Sequence, residues 1–82
     1  MLLGVVFLFA YVLVALSDSW VEDLVDEFRE MSEVVEAHIL FGEWDLILKV
    51  DALNPEGVAR FVLEKVRIKE EVRLTSTLIV AK

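Results

Sequence analysis

Residues 34–52 leave the chain little choice. Val34 to Phe41 alternates, with Val35, Ala37, Ile39 and Phe41 on one side and Val34, Glu36, His38 and Leu40 on the other. Gly42-Glu43 interrupts the run, and Trp44 to Ala52 alternates again, Leu46, Leu48, Val50 and Ala52 against Asp45, Ile47, Lys49 and Asp51. Two period-2 runs joined by a short glycine-containing segment predict a β-hairpin. Neither run is polar on its second side, because Leu40 and Ile47 sit among the charged groups. A sheet with one face in water alternates more cleanly. The hairpin's second face is therefore expected to be partly covered by another chain.

Size supports this. A chain of 82 residues buries only about 60% of its unfolded surface, so its own core is marginal without disulfides, metals or oligomerisation. There is no cysteine and a single histidine, His38, which excludes a disulfide framework, cysteine zinc sites and most catalytic triads. The carboxylates show no clustered metal-ligand spacing, so no metal or cofactor is expected. Oligomerisation is the remaining supplement.

Two helices and two more strands complete the order. Ser19 with Glu22 three residues later forms a capping box, and Val21, Leu24, Val25, Phe28 and Met31 follow as one apolar stripe among acids. Asn54-Pro55 starts a second helix whose buried stripe is Val58, Phe61, Val62 and Val66. Val72 to Val80 reads as a closing strand, with Leu74, Ser76, Leu78 and Val80 alternating against Thr75, Thr77 and Ile79. Met1 to Leu16 carries no charge and is too short to span a membrane before Asp18. Ala15-Leu16-Ser17 resembles a signal-cleavage site, but the positive start of a signal is missing. Its β-branched and aromatic residues favour a strand, with residues 1–9 as an apolar leader or strand extension and 10–82 as a single domain.

Strand, helix, strand, strand, helix, strand is the split βαβ order of the ferredoxin-like fold. It implies an α+β protein with a four-stranded antiparallel sheet and two helices on one face. The other face is bare in a lone subunit, which suits a dimer of the α/β-barrel kind. Glu36, His38, Leu40, Ile47 and Lys49 are the expected dimer-interface residues.

Phe41-Gly42-Glu43-Trp44-Asp45-Leu46-Ile47-Leu48-Lys49-Val50 resembles the second-to-third-strand hairpin of the Lrp/AsnC family. Val72 to Val80, with its Thr-x-Thr centre, resembles that family's last strand, and Phe61 to Arg67 fits its Phe-x-x-x-Lys-[Ile/Val]-Arg helix. The match covers residues 10–82, and the chain looks like a stand-alone effector-binding (RAM) module lacking the helix-turn-helix. The resemblance implies dimers assembled into octameric or decameric rings that bind an amino acid or similar small effector between dimers. Full-length Lrp/AsnC regulators are implied as further partners, and the cytoplasm as the location. By the same resemblance Gly42, Glu43, Trp44 and Asp45 form the hairpin part of the cleft, and Thr75, Ser76 and Thr77 the strand part.

The chemistry fits an amino acid. Asp45 suits an ammonium, while hydroxyls and a glycine turn's amides suit a carboxylate. Trp44 suits an apolar side chain. Each residue also has a structural reading: Gly42 and Asp45 as turn formers, Thr75 and Thr77 as strand formers, Trp44 as an interface anchor. Charge narrows the partners. Residues 1–41 hold eight acids against Arg29, and residues 42–82 are neutral, so the net charge of −7 lies in the first half. Such a surface repels phosphate, and neither direct nucleic-acid binding nor membrane association is expected. The chain reads as non-catalytic. Two alternatives stay open: a small dimeric α/β-barrel enzyme using His38, Glu36 and Lys49, and a structural module docking a basic protein through its acidic helix.

Overall fold

A computed structural model describes residues 7–17 and 21–82. The strands are β1 (Leu8–Leu16), β2 (Val34–Ile39), β3 (Leu46–Ala52) and β4 (Val72–Ile79), and the helices are α1 (Val21–Arg29) and α2 (Pro55–Phe61). A π-helical segment, Val62–Val66, continues α2. The sheet order is β2-β3-β1-β4 with every neighbouring pair antiparallel. Each helix crosses over one intervening strand, which is the ferredoxin-like arrangement expected from the sequence.

The core lies on one side of the sheet. Ala10, Val12 and Val14 of β1 and Leu46, Leu48 and Val50 of β3 are buried against Leu24, Val25 and Phe28 of α1 and against Val58, Phe61, Val62 and Val66. Both predicted helical stripes are therefore the buried ones, and both helices cover the same face. Leu8–Leu16 pairs on both sides. A leader cleaved after Ser17 would remove the middle of the sheet. Ser19 of the expected capping box lies outside the described residues. The second cap is present: the Asn54 side chain accepts from the Gly57 amide at 2.8 Å, with Pro55 in the first turn.

Three details of the hairpin differ from the alternation. A register shift between Val34 and Glu36 puts Val34 opposite Val50, so Val34 packs on the core rather than on the second face. β2 ends at Ile39, so Leu40 is a loop residue and not part of the strand's interface row. Phe41 points fully into water at 104% relative exposure instead of joining the core side. The reason is local: Leu40 N donates to the Asp45 carbonyl at 2.8 Å, closing the loop one residue earlier than the pattern suggests.

Two ion pairs fasten the helical layer. Glu27 of α1 meets Lys69 beyond the π segment, and Glu33 accepts from Lys65 Nζ at 2.7 Å. The Lys65 hydrogen bond holds the Glu33 carboxyl below the ordinary glutamate range, against a smaller upward push from burial. A folded-state value below the unfolded one stabilises the fold above the unfolded glutamate range, and that contribution disappears as pH falls through the lowered folded value. Lys65→Met should therefore be less stable than wild type at neutral pH and converge with it in acid. Urea midpoints measured across acidic pH check this.

Candidate functional site

The hairpin tip, residues 40–45, is built around Gly42 and Asp45. Gly42 has φ +145, a conformation other residues rarely adopt. A methyl there would touch nothing within 4 Å, so Gly42→Ala should cost only backbone strain, about 1–3 kcal/mol. Denaturant titration checks this, and a neutral substitution would contradict the tip geometry. The β1–β3 ladder ends at the Val14–Leu46 pair. Beyond it Asp45 N donates to the Val14 carbonyl at 2.9 Å, and the carboxylate accepts from the Leu16 amide at 2.7 Å. Asp45 thus takes the place of a strand carbonyl while the chain turns away. Glu43 is exposed and Trp44 half-buried.

Thr75 and Thr77 stand elsewhere. β4 pairs them with Val14 and Val12, so they share the helix-covered side. There they line a cavity of about 260 Å³ between α2 and β4, with Ile79 beside them. Pro55, Val58 and Ala59 wall its start, and Val62, Leu63 and Arg67 its end, along the π segment. Ser76 pairs with Leu13 and faces the opposite way, on the open side of the sheet. Ile39, Leu46, Val14 and Thr75 form one row across all four strands. Ile39, at the base of the tip, is thus three inter-strand steps, about 14 Å, from Thr75, whereas Asp45 and Thr75 flank Val14 on its two sides, about 10 Å apart. The β2 side of the tip is therefore remote from the two threonines, and Asp45 is the tip residue that stands nearest them.

The open face carries the other residues expected to act. Glu36, His38, Ile47 and Lys49 lie on it beside Tyr11, Leu13, Leu74 and Leu78. Phe9, at its end, takes the Lys49 ammonium 4.8 Å above its ring. His38 Nε2 donates to Glu36 Oε1 at 3.1 Å, and Lys49 Nζ lies 3.8 Å from Glu36 Oε2. The His38 hydrogen bond, aided by the Lys49 and His38 charges, holds the Glu36 carboxyl below its ordinary range. Leu74 and Leu78 are more than half exposed, so the face is apolar and uncovered in one subunit.

Sequence reasoning missed Arg67, Leu63 and Ala59 as cavity walls, because they fall outside the buried helical stripe. It also missed the β1 part of the open face, where a uniformly apolar run hides which residues face which way. Among the described residues no three His, Asp or Glu side chains gather as a metal site.

Known proteins align with this geometry. A family model described as the Lrp/AsnC ligand binding domain matches residues 9–82. An uncharacterized HTH-type transcriptional regulator of Pyrococcus furiosus is 38% identical over 58 residues, 71% of this chain and 39% of that protein. The chain thus spans about two fifths of the length of such curated relatives. A hypothetical protein of Pyrococcus horikoshii has a crystal structure that superposes with a TM-score of 0.83 at 31% identity, covering 92% of this chain and 90% of that one. A transcriptional regulator of Neisseria meningitidis, solved as a complex with L-Met, superposes with a TM-score of 0.81 at 25% identity, covering 92% of this chain and 50% of that one.

Proposed function

The chain belongs to the Lrp/AsnC ligand-binding domain family, and from that premise we propose that it is a non-catalytic amino-acid sensor working as an oligomer. The observation that carries the effector class is the L-Met complex of the Neisseria meningitidis regulator, which shares this fold at 25% identity. In this reading two subunits pair through their open faces, burying Tyr11, Leu13, Ile47, Leu74 and Leu78, with Glu36, His38 and Lys49 at the polar part of the contact. Ser76 belongs to that face. In the same reading the effector cleft is shared between subunits, with the tip residues Gly42, Glu43, Trp44 and Asp45 of one facing Thr75 and Thr77 of another.

Such a cleft matches an amino acid group by group. The threonine hydroxyls and the amides of the glycine turn receive the carboxylate, and acidic groups at the tip receive the ammonium. The apolar walls of the α2–β4 cavity receive an aliphatic side chain. Effector binding then favours whichever assembly holds the cleft closed, by the difference in its affinity for the two assemblies. A net charge of −7 favours action on transcription through association with DNA-binding relatives rather than through contact with phosphate. Such partners imply a cytoplasmic location.

Isothermal titration with a panel of amino acids tests the reading. Binding of at least one, weakened in Thr77→Val, is expected; a panel with no heat at all overturns it.

A further inference from the structure

Phe41 is more exposed than any other large apolar side chain among the described residues. It stands at the tip of a hairpin whose backbone is fixed by the Leu40–Asp45 closure and by Gly42. At the opposite edge of the sheet the α2–β4 cavity is open, and two of its walls, Leu63 and Ile79, remain 62% and 45% exposed. We propose that Phe41 of one subunit seats in the α2–β4 cavity of a neighbouring subunit, with Glu43 paired to Arg67 across the contact. The proposal rests on the reading of the effector cleft as shared between subunits.

Size, charge and placement agree. A cavity of about 150 Å³ already holds a benzene ring, so a volume of about 260 Å³ admits a phenyl group. Glu43, two residues from Phe41, and Arg67, on the cavity rim, are both exposed. Neither forms an ion pair among the described residues. A tip carrying a ring and a carboxylate thus faces a socket carrying apolar walls and a guanidinium. The widened turn at Val62–Val66 lies along the socket, and such π segments gather at functional places in helices. A subunit does not fill its own socket, since Phe41 is fully exposed and is not among the cavity walls.

A contact between different surfaces is head-to-tail, so it adds further subunits and closes into a ring where its rotation permits.

Native mass spectrometry and sedimentation of the full chain test this. Phe41→Ser is expected to remain a folded dimer by circular dichroism and to need a roughly tenfold or greater concentration to associate further. Glu43→Arg and Arg67→Glu should each weaken that association, and the double variant should restore it. A Phe41→Ser protein that associates like wild type, a wild type that stops at dimers, or a charge swap without restoration overturns the proposal. Amino-acid titration is read separately. Binding with unchanged association in Phe41→Ser overturns the knob alone, whereas Phe41-dependent association without any amino-acid binding overturns the effector reading alone.

Discussion

Ile47→Glu is expected to turn the assembled protein into lone, folded subunits that no longer bind an effector. Ile47 sits in the middle of the open face, between His38 of β2 and Leu13 of β1. In one subunit it is half-buried and reachable by water, so a carboxylate there costs the isolated fold little. Covered by a partner, the same carboxylate loses its hydration. The nearest cation on that face, Lys49, already lies against Glu36 and the Phe9 ring. An uncompensated buried charge costs about 3–5 kcal/mol. Two-fold symmetry applies that cost twice, and the sum exceeds what a small interface can offset. Sedimentation together with circular dichroism checks the result: native-like secondary structure at subunit mass is expected, and an undiminished oligomer would place the contact elsewhere.

Phe28→Ala is expected to be the most damaging core substitution to the fold itself. Phe28 is 0% exposed and packs α1 onto the sheet. Removing a buried phenyl ring costs about 3–5 kcal/mol, against a total of about 4–12 kcal/mol for a domain of this length. A large fraction of the stability is lost. Because association stabilises only the folded subunit, both midpoints should rise with protein concentration while the gap between variant and wild type persists. Urea titration at two concentrations reads both effects. A midpoint equal to wild type would contradict the packing of α1.

The fold was legible because its signals are local and agree with one another. The Asn54-Pro55 cap, the two apolar stripes and the alternation of β3 each specify one element, and their order leaves a single reasonable topology. The hairpin was legible only in outline. The slip at Val34 follows from packing against Val50, and the early end of β2 follows from the Leu40–Asp45 closure, neither of which appears in a period-2 pattern. The period-2 pattern for that reason puts Phe41 on the core side, whereas the side chain is fully exposed. β1 was legible as a strand but not by face, since nearly all its residues are apolar and such a run shows no alternation.

The candidate site was legible in its parts and not in its arrangement. Gly42, Asp45, Thr75 and Thr77 stand out through the resemblance of their segments to the Lrp/AsnC hairpin and last strand. That Asp45 also anchors the Leu16 amide, and that Thr75 and Thr77 open onto a cavity with Arg67 at its rim, depends on strand register and on the π segment. Register across four strands is a long-range property, fixed by which face each strand buries. Ser76 is separated from its two neighbours by the same alternation that made the strand recognisable.

Sedimentation equilibrium of the wild-type chain at micromolar concentration is the most direct test of a sheet whose second face is covered by another subunit. Even multiples of the 9.4 kDa subunit mass, with no free subunit, are the expected outcome. A stable species of 9.4 kDa would contradict it.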